Sequence, residues 1–163
     1  MDDAPDGAVS RAPELEDLVG LCRSLNREGV RYLLIGGFAV ILQGFARTTK
    51  DIDLLIDASD ANVAAVKRAM ASLPDNAADE IQEADVRQYT VVRVADVIVV
   101  DLMAAACGVT YDQAMTQDVE SREIDGVRIP LAGKRLLIRL KDTVRPSDHA
   151  DVGFLKLRLE AGD

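Results

Sequence analysis

The sequence predicts an α/β fold in which a small mixed β-sheet is flanked by helices. Short apolar runs typical of strands alternate with amphipathic segments that have helical spacing. The chain has 163 residues, the size of one domain, and 48% of them are apolar, which suffices for a packed core. Residues 1–13 are acidic, small and proline-containing, so we expect a flexible tail followed by a single domain over residues 14–163.

The first half of the chain predicts three helices and two strands. Apolar residues recur at helical spacing in three segments, which are residues 14–28, 38–43 and 60–73. Gly29 and Gly44 follow the first two helices, Ser59 can cap the third, and Pro74 breaks it. The apolar runs typical of buried strands are residues 30–35 and 51–57.

The second half predicts two hairpins and a set of short helices. The β-rich runs 86–94 and 97–103 flank a two-residue turn, Ala95-Asp96, and residues 120–131 contain Asp125-Gly126, a strong hairpin signal. Short helices are predicted over residues 110–117, 133–141 and 147–159, and the last two form the C-terminal end of the chain. They separate near Pro146, because the residue before a proline disfavours the helical conformation. Residues 76–85 fit a weak helix or a loop.

Charge and composition exclude several classes of protein. The 28 acidic and 19 basic residues give a net charge of −9, which disfavours sequence-independent nucleic-acid binding across the surface. No apolar run is long enough to span a bilayer and the N-terminus has no signal-peptide pattern, so we expect a cytoplasmic protein without a membrane partner. Cys22 and Cys107 lie far apart with no histidine nearby, and we expect both thiols to be buried.

Asp51 and Asp53 form an Asp-x-Asp pair at the start of the predicted central strand. Residues two apart on a strand face the same side, roughly 6.6 Å apart along the chain. Two carboxylates on one face can jointly hold hard divalent cations. The pair alone is weak evidence, because Asp-x-Asp is also common at ordinary strand edges.

Two further groups of residues precede this pair. Gly36-Gly37 lies between a strand and a helix, where backbone N–H groups can approach an anion, although an ordinary turn has the same composition. Arg47 and Thr49 come just before the carboxylates and could contact a phosphate or orient the aspartates. As isolated residues they equally fit a solvated loop.

The combination is more specific than its parts. A strand ending in Gly36-Gly37, a short helix, and then Arg47, Thr49 and Asp51-Ile52-Asp53 resembles the nucleotidyltransferase superfamily of the DNA polymerase β type. The string is most similar to the AbiEii-type or uncharacterised bacterial nucleotidyltransferase group, and about 25 residues carry the match. The resemblance implies a nucleotidyltransferase fold and a nucleotidyltransferase-like domain over residues 14–163.

The superfamily also requires a third acidic residue on a later strand, for which Asp101 and Asp96 compete. Asp101 lies within the apolar run 97–103, where a carboxylate needs a metal or a charged partner, unless it faces solvent at the strand end. Asp96 lies in the predicted turn, where we expect it to be solvated and remote from the pair. We therefore assign the third carboxylate to Asp101.

The C-terminal segment carries a weaker match. Lys141, Arg145, Asp148 and Asp151 follow the spacing of this group, and Lys141 is the residue expected to reach the phosphates of a nucleotide. On one continuous helix Lys141 and Arg145 would share a face. For Arg145 with Asp148 or Asp151 we favour a structural ion pair, and His149 fits an exposed helix position.

The resemblance implies transfer of a nucleoside monophosphate from an NTP to an acceptor hydroxyl. Asp51, Asp53 and Asp101 are then the catalytic residues and the ligands of two Mg²⁺ ions, with Mn²⁺ as an alternative. Gly36, Gly37, Arg47, Thr49 and Lys141 are the nucleotide-binding residues. The acceptor stays open among RNA, protein and a small molecule, and a toxin–antitoxin or abortive-infection setting implies a cognate toxin or antitoxin partner. The alternatives are an antibiotic nucleotidyltransferase and a non-catalytic antitoxin-type protein with the same fold.

Overall fold

A six-stranded mixed sheet lies at the centre of the computed structural model, which describes residues 9–162. The strands, in chain order, are β1 (Tyr32–Ile35), β2 (Asp51–Ile56), β3 (Val92–Ala95), β4 (Val99–Met103), β5 (Ala105–Ala106), β6 (Val109–Thr110), β7 (Val119–Ile124) and β8 (Val127–Ala132). The order in the sheet is β3-β4-β2-β1-β8-β7, and β5 pairs with β6 separately. Strand β2 is antiparallel to β1 and parallel to β4, so the predicted mixed sheet is confirmed.

Helices flank the sheet, and the last two form the C-terminal part of the described chain. They are α1 (Leu15–Arg27), α2 (Gly36–Leu42), α3 (Asp60–Met70), α4 (Asp85–Gln88), α5 (Tyr111–Ala114), α6 (Lys134–Leu140) and α7 (Pro146–Glu160), with a 3-10 helix at Ala77–Glu80. None of the helices within residues 9–162 combines the length and the apolar composition that a membrane span requires.

Local signals in the sequence explain several boundaries. Ser59 caps α3 by accepting a hydrogen bond from the backbone N–H of Asn62, as predicted. Gly29 follows α1 with a φ of +69°, a conformation that glycine adopts without steric cost. Asp125 and Gly126 both have positive φ and join β7 to β8, which confirms the predicted hairpin.

The core is continuous across both faces of the sheet, because apolar side chains from β1, β2 and β4 are packed between helices. The largest fully buried side chains are Leu18, Leu25, Leu33, Leu34, Ile52, Leu54, Leu55, Ile56, Met70, Ile98, Leu102 and Ile129. The sheet is therefore a rigid support for polar residues that project from the same strands.

The first hairpin differs from its prediction. Residues predicted as the start of a strand form the helix α4, and β3 begins only at Val92. Ala95 pairs with Val99, so three residues connect the strands where two were predicted. Asp96 in this connection is 2% exposed, and the expectation that it is solvated was wrong. Its carboxylate accepts hydrogen bonds from the backbone N–H groups of Asp75, Ala77 and Val97, which compensate its burial.

Two further expectations concern the thiols and the N-terminal tail. Cys22 is buried as predicted, but Cys107 is exposed in a turn where its φ is +46°. Of the predicted tail, residues 1–8 lie outside the described residues. Within the described part, the Ser10 hydroxyl donates to the carbonyl oxygen of Asp96 and the Arg11 N–H donates to that of Val97.

Candidate active site

Three polar residues lie in a row across neighbouring strands at one edge of the sheet. In the parallel pair β2–β4, Asp53 lies opposite Asp101, and in the antiparallel pair β3–β4, Asp101 lies opposite Arg93. Directly opposite residues project to the same face, so their side chains meet. Asp51 is two residues before Asp53 on that face. The acidic cluster consists of Asp51, Asp53 and Asp101. Each offers one carboxylate oxygen, and these three oxygens all lie within 4.8 Å of one another.

The clustering of negative charge changes the acid–base behaviour of this site. Burial, together with the charges of Asp51 and Asp101, raises the pKa of Asp53 to about 7. Burial and the charge of Asp101 also raise the pKa of Asp51. Both pKa values are raised because negative charges lie close together in a buried site, and a bound cation would offset this repulsion. Carboxylate oxygens are the ligands that Mg²⁺ and Mn²⁺ prefer, so the three residues fit a divalent metal ion.

The glycine pair lies beside the carboxylates because Ile35, the last residue of β1, pairs with Asp53. Gly36 follows with a φ of +73°, and a Cβ at this position would overlap the Asp53 carboxylate. A Cβ on Gly37 would lie 2.7 Å from the hydroxyl oxygen of Thr49. At both positions the backbone lies too close to a neighbouring side chain for a Cβ to fit. This is a stronger reason for glycine than a turn alone.

A network of ion pairs forms the opposite wall of the site. An Arg47 Nη1–Asp151 Oδ2 contact of 2.5 Å and a Lys141 Nζ–Asp151 Oδ2 contact of 2.9 Å attach α7 to the loop before β2 and to the end of α6. The same Lys141 ammonium also contacts Asp148 at 3.3 Å. Helix α6 ends at Leu140, so Lys141 and Arg145 do not share a continuous helix.

Arg145 pairs with Asp148, one of the two partners that the sequence offered, with an Nε–Oδ2 distance of 2.9 Å. Burial alone would raise the pKa of Asp148, but hydrogen bonds from Thr143 and Arg145 lower it below its usual range. His149 occupies the expected exposed position on α7, where its Nε2 lies 2.7 Å from the Thr143 carbonyl oxygen. Thr49 donates its hydroxyl to the Asp51 carbonyl oxygen at 3.2 Å.

These elements line an open cavity of ≈ 930 Å³. All the site residues predicted from the sequence line it, which are Gly36, Gly37, Arg47, Thr49, Asp51, Asp53, Asp101 and Lys141. The charged lining residues are five aspartates and five basic residues, namely Asp51, Asp53, Asp101, Asp148, Asp151, Arg47, Lys50, Arg93, Lys141 and Arg145. The lining is therefore electrically balanced in a chain with a net charge of −9. Asp96 does not line this cavity.

Sequence reasoning missed Arg93. Its guanidinium contacts both oxygens of Asp101 at 2.9 Å and reaches Asp51 Oδ2 at 3.3 Å. The signal that could have found it is the register of the first hairpin, because an arginine directly opposite a buried carboxylate is its natural partner. Asp101 is 5% exposed, so the alternative that it faces solvent at a strand end was wrong.

A family model described as "Nucleotidyl transferase of unknown function (DUF2204)" matches residues 14–153. The chain belongs to this nucleotidyl transferase family. The match includes the whole glycine–aspartate segment, Asp101 and the ion-pair network up to Asp151. A comparison with curated proteins found no match. The family description supports a transferase, and the acidic cluster gives this member a site that could hold a divalent metal.

Proposed function

We propose that this protein transfers a nucleoside monophosphate from an NTP to an acceptor hydroxyl with the help of divalent metal ions. The observation that carries the proposal is the placement of three carboxylates beside Gly36, at the floor of a cavity large enough for a nucleotide. Membership of a nucleotidyl transferase family gives the reaction class.

The proposed roles follow from the position of each residue. Asp51, Asp53 and Asp101 would hold two Mg²⁺ ions, or Mn²⁺ in their place. When bound, such ions neutralise the triphosphate and lower the pKa of the attacking hydroxyl. Gly36 and Gly37 would direct backbone N–H groups at the phosphates, since no side chain stands between this backbone and the acidic cluster.

The basic wall would act on the other side of the nucleotide. We assign Arg47 and Lys141 to the triphosphate, with Asp151 fixing both side chains in place. Thr49 would hold the backbone of Asp51 in position through its hydroxyl. The acceptor oxygen attacks the α-phosphorus, the bond to the bridging oxygen breaks, and pyrophosphate leaves. Positioning and electrostatic stabilisation then supply most of the rate enhancement.

The charge of the chain bears on the class of acceptor. The net charge of −9 favours a protein or a small molecule over an extended RNA surface. The similarity of the Gly36–Asp53 segment to the AbiEii-type group supports a toxin–antitoxin or abortive-infection setting, in which a cognate protein would bind this chain. A small hydroxylated acceptor would instead indicate an antibiotic nucleotidyltransferase.

The test is incubation of the protein with each NTP labelled at the α-phosphate, in the presence of Mg²⁺ and of cell extract as acceptor source. We expect label to appear on one class of acceptor, with release of pyrophosphate and no transfer from γ-labelled NTP. The Asp51→Asn/Asp53→Asn variant should lose at least about 10²-fold in rate. Asp57→Asn, which changes a carboxylate that does not line the cavity, should keep the wild-type rate. Transfer of the γ-label, or full activity of the double variant, would contradict the proposal.

A further inference from the structure

Arg93 is the one basic residue that contacts the acidic cluster directly among the ion pairs of the described chain. Its Nε and Nη2 atoms each lie 2.9 Å from a different oxygen of Asp101, and Nη2 lies 3.3 Å from Asp51. The Asp101 side chain is 8% exposed, whereas that of Arg93 is 61% exposed. A largely exposed arginine side chain thus covers a buried carboxylate.

Arg93 and a metal ion would compete for the same oxygens. A two-point contact from a guanidinium directs N–H groups at both carboxylate oxygens, which are the atoms that a cation would coordinate. Two positive charges on one carboxylate also repel each other. A metal ion on Asp101 therefore weakens the contact with Arg93, and the Arg93 contact weakens metal binding to the same extent.

The position of Arg93 makes its departure inexpensive. It projects from β3, an edge strand of the sheet, and most of its side chain is already in water. Arg47 differs, since its side chain is 25% exposed and is held by the nearly inaccessible Asp151. An ion pair that fixes the fold would resemble the second arrangement more than the first.

We propose that Arg93 is a built-in counter-cation of the metal-free site, which a divalent metal displaces from Asp101. Arg93 is then a positioning residue that keeps Asp101 paired in the empty site and sets the affinity for metal. The inference rests on the metal site of the proposed function.

The first experiment measures Mn²⁺ binding to the full chain without nucleotide, from the electron paramagnetic resonance signal of the free ion. Arg93→Gln should bind Mn²⁺ about three- to tenfold more tightly than the wild type, because the competing charge is gone. Arg93→Lys keeps the charge but not the two-point contact, so its affinity should lie between the two. Arg31→Gln is the matched control, since Arg31 is 58% exposed and also contacts two aspartates, Asp57 and Asp112, outside the site. Its affinity should equal that of the wild type.

The second experiment uses only the wild-type chain, so it does not depend on how well a variant folds. The Nε–H resonance of Arg93, assigned through its correlations to the Arg93 side-chain carbons, should move on titration with Mg²⁺ as the bond to Asp101 breaks. An unmoved resonance at saturating metal, or equal Mn²⁺ affinity in Arg93→Gln and wild type, would overturn the inference, and so would a lack of Mn²⁺ binding in both. Tighter Mn²⁺ binding by Arg93→Gln, without NMP transfer by the wild type, would support the role inferred for Arg93 and would overturn only the proposed function.

Discussion

Gly36 is the residue at which the backbone and the acidic cluster constrain each other most directly. We expect Gly36→Ala to lower the free energy of unfolding more than Gly29→Ala. Both residues have a positive φ, +73° and +69°, so both variants carry a backbone cost of about 1 kcal/mol or more. Only at Gly36 does the added methyl group also meet a carboxylate, because nothing lies within 4 Å of a Cβ on Gly29. Urea unfolding of both metal-free variants gives the comparison, and equal losses would contradict it.

Asp53 makes the stability of the metal-free protein depend on pH. Its pKa is about 7 in the folded chain and near 3.8 in the unfolded chain, so between these values the folded state binds more protons. Raising the pH through this window therefore favours unfolding. We expect the free energy of unfolding to fall more steeply from about pH 4 to pH 7 in the wild type than in Asp53→Asn. Denaturant titrations at a series of pH values measure this difference.

The Asp57→Asn variant is the control for that series, since it removes a carboxylate outside the cluster and should keep the wild-type slope. At pH 8 Asp53→Asn should be at least as stable as the wild type without metal, because it removes like-charge repulsion. A wild-type slope in Asp53→Asn would show that another group carries the pH dependence.

The same residues show how far sequence reasoning reaches. Asp101 was assigned correctly to the cluster, because the two-residue period of a strand and the cost of an unpaired carboxylate both act locally. Arg93 was missed because its position depends on the length of a turn. A two-residue turn would place Thr90 opposite Asp101, whereas the three-residue connection places Arg93 there. The carboxylate of Asp96, which binds three backbone N–H groups, stabilises that longer connection.

At the scale of elements, α7 is attached to the site through Asp151. This residue is 1% exposed, and its carboxylate contacts both Arg47 and Lys141. We expect Asp151→Asn to lower the free energy of unfolding by about 3 kcal/mol, because it leaves Arg47 without a carboxylate and the buried Lys141 ammonium with only the longer contact to Asp148. Thermal or urea unfolding measures the loss.

Asp60→Asn, in α3, is the matched control for Asp151→Asn. The Arg87–Asp60 contact is similarly short, 2.6 Å, but the Asp60 side chain is 70% exposed. Exposed pairs contribute about 0.2–1 kcal/mol, so this variant should lose far less stability than Asp151→Asn. Similar losses in both would mean that the buried network does not hold α7.

This attachment also marks a limit of prediction from sequence. The break between α6 and α7 follows from Pro146, which is a local signal. The pairing of Asp151 with Arg47 does not, because it depends on how α7 packs beside a loop that is about 100 residues away in the chain. The sequence therefore identified the residues of this wall but not which of them pair.

At the scale of the whole molecule, the balance of charge in the site differs from that of the chain. The chain has a net charge of −9, yet the cavity lining carries equal numbers of acidic and basic residues. Occupation of the carboxylates by two divalent ions would make the lining positive, and this is the condition under which a triphosphate is attracted. Metal and nucleotide should therefore bind cooperatively.

Cooperative binding gives a prediction for the whole fold. A ligand that binds only the folded state stabilises it, by about 2.7 kcal/mol at a hundredfold excess over its Kd. For a domain of this size, that energy corresponds to a rise in Tm of about 5–10 °C. We expect this rise for the wild type with Mg²⁺ and a non-hydrolysable NTP together, and a smaller one with either alone. The Asp51→Asn/Asp53→Asn variant keeps every residue of the basic wall but lacks two of the three carboxylates, so its Tm should not respond to the mixture. An equal rise in both proteins would show that the nucleotide binds without the metal site.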